Sequence, residues 1–133
     1  MELQEQMLRE ARIIAVVGLS SDESRPSYRV ARYLQSRGYR IIPVNPDETE
    51  VLGERSYPSL IAIPESVDMI DVFRRPQFVR PIVEEAVRLR IPRIWLQDGV
   101  IDEAAAEYAR QAGVQVVMND CTMRVHGRLW LAC

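Results

Sequence analysis

Lysine is missing from the 133 residues, so all 17 basic side chains are arginine. That absence excludes a Walker-type phosphate lysine, a pyridoxal Schiff base and a lysine general base. Phosphate recognition by the planar arginine fork stays available. Histidine occurs once, at His126, and cysteine twice, at Cys121 and Cys133. Two cysteines make no disulfide framework, which fits a reducing cytoplasm. The five-residue spacing of Cys121 and His126 does not share a helix face, and no further ligand is near, so a zinc site is not expected. A Ser-His-Asp arrangement would need His126, and no nucleophile-elbow motif supports one. No apolar run approaches the ~20 residues of a membrane span. The start, Met1-Glu2-Leu3-Gln4-Glu5, is acidic and polar and does not read as a signal peptide. A net charge of -2 gives no overall pull toward nucleic acid or an anionic membrane, so any anion site must be local.

What is present fits a single domain spanning residues 1–133, with 47% hydrophobic and 27% charged residues. Ile13-Ile14-Ala15-Val16-Val17 is apolar at consecutive positions, the pattern of a strand buried on both faces. Tyr39 to Val44, Val67 to Phe73, Arg93 to Gln97 and Val114 to Met118 are further strand candidates. Helices are expected over 2–11, over 27–37 ending at Gly38, over 77–90, and over 102–112 with Asp102 as N-cap and Gly113 as stop. Strand and helix alternate, which predicts a three-layer Rossmann-like α/β domain: a parallel sheet of about five strands with helices on both faces. The stretch 46–64 is irregular, with one helical turn expected over 59–63. The apolar C-terminal segment from Arg128 to Cys133 is expected to pack on the domain or on a partner.

In an open parallel sheet, ligands bind beyond the carboxyl ends of the strands, so the loops there carry the chemistry. The first, Gly18 to Ser27, has one glycine where a dinucleotide fingerprint needs three. It supplies hydroxyls, Arg25, and Pro26 at the start of a helix whose open N–H groups would cradle a phosphate. The same residues also fit a plain strand-to-helix turn with a solvated arginine. After the second strand comes Asn45-Pro46, where an NAD site would hold an acidic residue for the ribose. After the third comes Phe73-Arg74-Arg75-Pro76, in which extended backbone would send the two arginines to opposite sides, so that one meets a ligand. Pairing of those arginines with Glu84 or Glu85 is the competing reading. Cys121 follows the fifth strand, either as an inert buried thiol or facing the cleft.

Taken together, Val16-Val17-Gly18-Leu19-Ser20, Arg25-Pro26-Ser27-Tyr28, Pro43-Val44-Asn45-Pro46, Phe73-Arg74-Arg75-Pro76, Trp95-Leu96-Gln97 and Cys121 resemble the bacterial single-domain CoA-binding proteins. That family is similar in turn to the CoA-binding domain of the succinyl-CoA synthetase alpha subunit. The resemblance runs from about Ile13 to about Leu129 and implies coenzyme A lying across the carboxyl edge of a Rossmann-type sheet. It implies that Gly18, Leu19, Ser20, Arg25, Pro26 and Ser27 line the phosphates, with Asn45 and Pro46 flanking the ligand. It places Phe73, Arg74, Arg75, Pro76 and Val79 along the nucleotide and pantetheine, and Gln97 and Gly99 toward the thiol. Asp98 before Gly99 departs from the family pattern. The synthetase's phosphohistidine machinery has no counterpart in the sequence.

The expected function is therefore non-catalytic binding of CoA or an acyl-CoA in the cytoplasm, with no nucleic-acid or membrane partner. Cys121 could then form a mixed disulfide with CoA under oxidation. Two alternatives stay open: an NAD(P)-linked enzyme of the same fold, and an interaction module whose nucleotide cleft is vestigial.

Overall fold

The computed structural model describes residues 1–131; Ala132 and Cys133, the end of the apolar C-terminal segment, lie outside the described residues. Five parallel strands form the sheet: β1 (Ile13–Val17), β2 (Arg40–Val44), β5 (Met69–Val72), β6 (Arg93–Leu96) and β7 (Gln115–Met118). Their spatial order is β2-β1-β5-β6-β7. The chain leaves β1 for β2 on one side and returns to place β5 on the other. The sheet's switch point therefore lies between β1 and β5.

Alternation along each strand sorts the core into two layers. Ile14 and Val16 of β1 join Met69, Trp95 and Val117 on one face, where α1 (Leu3–Glu10) supplies Met7 and Leu8. On that face α2 (Pro26–Ser36) adds Val30, Ala31 and Leu34, and α5 (Thr122–Trp130) adds Val125. Ala15 and Val17 point the other way with Ile70, Val72, Ile94 and Leu96. They meet α3 (Val79–Arg88) through Val79, Val83 and Ala86, and α4 (Glu103–Gln111) through Ala105, Ala106 and Ala109. Both faces are covered, which is why the strand sequences read as continuous apolar runs rather than alternating ones.

The expected three-layer architecture is the observed one. Asp102 caps α4 by accepting from the Ala105 N–H at 3.0 Å, and the turn expected over 59–63 is a 3-10 turn at Leu60–Ala62. Two elements were not foreseen. The irregular stretch contains a two-residue hairpin, β3 (Glu50–Val51) with β4 (Glu54–Arg55), and α5 follows β7 directly. Helix α5 packs on α1 and α2, so the C-terminal segment lies on the domain through Leu129, while Trp130 and Leu131 stay exposed. No helix among the described residues is long and apolar enough to cross a membrane.

Candidate functional site

Beyond the carboxyl ends of β1, β5, β6 and β7 opens a cleft of about 980 Å³, the upper end of the usual range for small-molecule sites. It is lined by the loops picked out above together with the starts of α2 and α5. Gly18, Ser20, Arg25, Pro26, Ser27, Asn45, Phe73, Arg74, Arg75, Pro76, Gln97 and Gly99 all reach it. Leu19 and Val79 do not: each is fully buried, one in each core layer. Pro46 lines a smaller neighbouring cavity with Pro58, Leu60 and Arg74.

Gly18 holds the rim together. Its N–H donates to the Val44 carbonyl at 2.8 Å while the Phe73 N–H donates to Val17 at 2.8 Å, so three strand ends are stitched at one point. Its φ is +88°, and a Cβ there would lie 2.3 Å from the Phe73 carbonyl oxygen. Glycine is required both for the turn and for the close approach.

The loop that follows is ordered by its own hydroxyls. The Ser20 N–H donates to Ser27 Oγ at 3.1 Å, and the Asp22 N–H donates to Ser20 Oγ at 3.0 Å. Each serine thus accepts within the loop, and neither hydroxyl donates to another of the described residues. Asn45 is spent on positioning: its Nδ2 donates to the Leu19 carbonyl and its Oδ1 accepts from the Asp47 N–H. Proline at the first position of α2 leaves that helix start bordering the cleft.

Arginines divide the cleft. Neither Arg74 nor Arg75 forms an ion pair among the described residues; Arg74 lies over the Phe78 ring at 4.6 Å and lines the neighbouring cavity together with Glu85, while Glu84 pairs with Arg80. Both line the cleft, against the expectation that one would turn away. The reason is that β5 ends at Val72, and the chain turns into a 3-10 turn at Pro76–Phe78 before strand alternation can separate them. Arg25 is exposed and 3.8 Å from Asp22. At the opposite end Arg124 is committed, with both terminal nitrogens on Asp98 at 2.9 Å and one also on Asp120. That guanidinium holds Asp98 below the ordinary carboxylate range.

Under the uncharged stretch between these ends lies a buried polar group that sequence reasoning missed. Asp71 on β5 is fully buried, and its Oδ2 lies 2.9 Å from Thr122 Oγ1. Gln97 Oε1 accepts from the Thr122 N–H at 3.0 Å and lies 3.3 Å from Thr122 Oγ1. Burial pushes the Asp71 carboxyl up to about 8, so it is mainly protonated at neutral pH. A protonated Asp71 can donate to Thr122 Oγ1, whose own proton then goes to Gln97 Oε1. The available signal was an aspartate interrupting the apolar run of a strand in a sheet expected to be covered on both faces.

Cys121 is both buried and cleft-lining. Burial raises its thiol pKa, partly offset by the Arg124 and Met123 amides at the start of α5. His126 sits elsewhere, buried against Trp130 with its Nδ1 2.8 Å from the Tyr33 hydroxyl. Among the described residues no cluster of three potential metal ligands occurs.

The family model described as CoA binding domain matches residues 12–127. The chain is 36% identical to the uncharacterized YneT protein of Bacillus subtilis over 121 residues, covering 91% of this chain and 90% of that protein. A solved structure from Thermus thermophilus superposes with a TM-score of 0.92 at 40% identity, covering 98% and 100% of the two chains. An ADP-forming acetate–CoA ligase of Archaeoglobus fulgidus is 26% identical over 120 residues, 83% of this chain but 18% of the ligase.

Proposed function

The chain belongs to the CoA binding domain family, and from that premise we propose that it is a single cytoplasmic domain that binds CoA without transforming it. One observation carries the reading. Arg74 and Arg75 stand unneutralised at the switch point of the sheet, in a cleft that also receives the start of α2. An unpaired cationic rim beside a helix N-terminus suits a multiply phosphorylated ligand. The phosphates lie along Gly18, Ser20, Arg25, Pro26 and Ser27 and against the two arginines. Phe73 and Pro76 border the nucleotide, and the arm runs toward Gln97 and Gly99. Leu19 and Val79 act from the core, Asn45 acts at the cleft edge by fixing the first loop, and Pro46 acts by shaping the outer rim.

Binding without turnover is supported by the state of the reactive groups. Asp71 is sealed beneath the floor, and Cys121 is biased toward its unreactive thiol form. The likeness to the acetate–CoA ligase spans a minor part of that enzyme, so it brings a CoA-binding part and not a ligation.

A thermal shift tests the reading. Ligand at 100-fold over its Kd adds about 2.7 kcal/mol, on the order of ten degrees for a domain of this size. CoA is expected to raise the melting point, dephospho-CoA less, and NAD hardly at all. Equal shifts with CoA and NAD would favour a dinucleotide enzyme, and none with any nucleotide a vestigial cleft.

A further inference from the structure

Gln97 lies at the carboxyl end of β6, one strand beyond β5, where the arginines lie, and is 4% exposed while lining the cleft. Its amide can be oriented without ambiguity. The Thr122 backbone N–H can only donate, so the atom it meets at 3.0 Å must be the amide oxygen. Both bonds that this side chain makes, to Thr122 N and Thr122 Oγ1, use that oxygen. Its NH2 group has no acceptor among the described residues. It is not sealed in the interior either, for the side-chain atoms both sealed and unpartnered are Asp71 Oδ1 and Arg93 Nε. What Gln97 offers the cleft is therefore an open hydrogen-bond donor.

The surroundings say what such a donor would read. Val100, Cys121 and Met123 wall this part of the cleft with uncharged groups, and Arg124 beyond them is occupied by Asp98 and Asp120. Asp71 behind it is mainly neutral at pH 7, and the one cation beside it, Arg124, is already held by two carboxylates, so this part of the cleft offers an anion no unpaired cation. A free thiol is a poor acceptor and would leave the NH2 unpaired once water is displaced. A thioester carbonyl would pair with it.

Resting on the reading of the cleft as a CoA site, we infer that Gln97 Nε2 donates to an acyl thioester carbonyl, so that the protein prefers short acyl-CoA to free CoA. Val100 and Met123 would contact the acyl chain. One neutral hydrogen bond at a desolvated donor corresponds to about tenfold in affinity.

Calorimetric titration under reducing conditions tests this with CoA, acetyl-CoA and S-ethyl-CoA, the last matching the acetyl group in size without its carbonyl. The wild-type protein should bind acetyl-CoA about tenfold more tightly than either of the others. Gln97→Glu keeps an oxygen for Thr122 and turns the donor into an acceptor, so the ratio of acetyl-CoA to CoA affinity should fall to near one. The wild-type comparison stands even where that variant folds poorly. Equal binding of acetyl-CoA and S-ethyl-CoA would overturn the inference while leaving CoA binding intact. So would a Gln97→Glu protein that keeps the wild-type ratio. Failure of all three ligands to bind would remove the CoA reading and this inference with it.

Discussion

At one end of the cleft Arg74 and Arg75 form no ion pair among the described residues, while at the other Arg124 is held by Asp98 and Asp120. The residue type is the same, and the neighbours decide what it does. An arginine already paired with two carboxylates offers little net field to an incoming anion, whereas an unpaired one beside a helix start offers its whole fork. The ends differ in their glycines too. Gly18 and Gly99 both have positive φ, +88° and +78°, but a Cβ on Gly18 would strike the Phe73 backbone, and one on Gly99 would meet open space. The arginine end is a tightly stitched junction of strands; the far end is a looser turn over a neutral floor.

The largest expected effect breaks the comparison at the arginines. The Arg74→Ala/Arg75→Ala double variant should lose about 3 kcal/mol of CoA binding, over a hundredfold. Arg124→Ala should stay within about threefold of wild type. Calorimetric titration of both variants decides it, and equal losses would erase the distinction between the two ends.

Next comes the backbone. Gly18→Ala combines a strained φ with a backbone clash and should destabilise by on the order of 2 kcal/mol, whereas Gly99→Ala should show the smaller strain of φ alone. Denaturant unfolding of the two variants measures the difference. A Gly99→Ala protein as unstable as Gly18→Ala would mean that close approach at Phe73 is not what makes the first glycine necessary.

The last comparison concerns the neutral floor and is read in stability against pH rather than in binding. The Asp71 carboxyl titrates at about 8 in the folded protein and near ~4 when unfolded. Between those values the folded state holds a proton that the unfolded chain has released. Stability from this group therefore falls as pH rises through the window, by about 1 kcal/mol per unit. Asp71→Asn has no charge to bury, so its unfolding midpoint should decline less between pH 5 and pH 8 than that of wild type. Parallel slopes for the two proteins would show that Asp71 carries its charge when folded.

Much of this was legible from residues alone, because the strands are buried on both faces and so appear as unbroken apolar runs. The loops at their carboxyl ends then gave the cleft. Three things were hidden for physical reasons. Helix α5 carries His126 and Gly127 in its middle and is held by Tyr33 and the Asp71–Thr122–Gln97 contacts, none of which a local pattern reveals. Leu19 sits between the lining residues Gly18 and Ser20 yet turns into one core layer, and Val79, past Pro76, turns into the other. Arg124 looks like any other arginine until Asp98, 26 positions away, is seen to occupy it.

The claim that the unpaired arginines grip the phosphates is tested most directly by a crystal structure of the protein with CoA. The account predicts the pyrophosphate between the start of α2 and Arg74 or Arg75, within hydrogen-bond distance of a guanidinium. Phosphates lying over β6 and β7 beside Arg124, or a ligand outside the cleft, would contradict it.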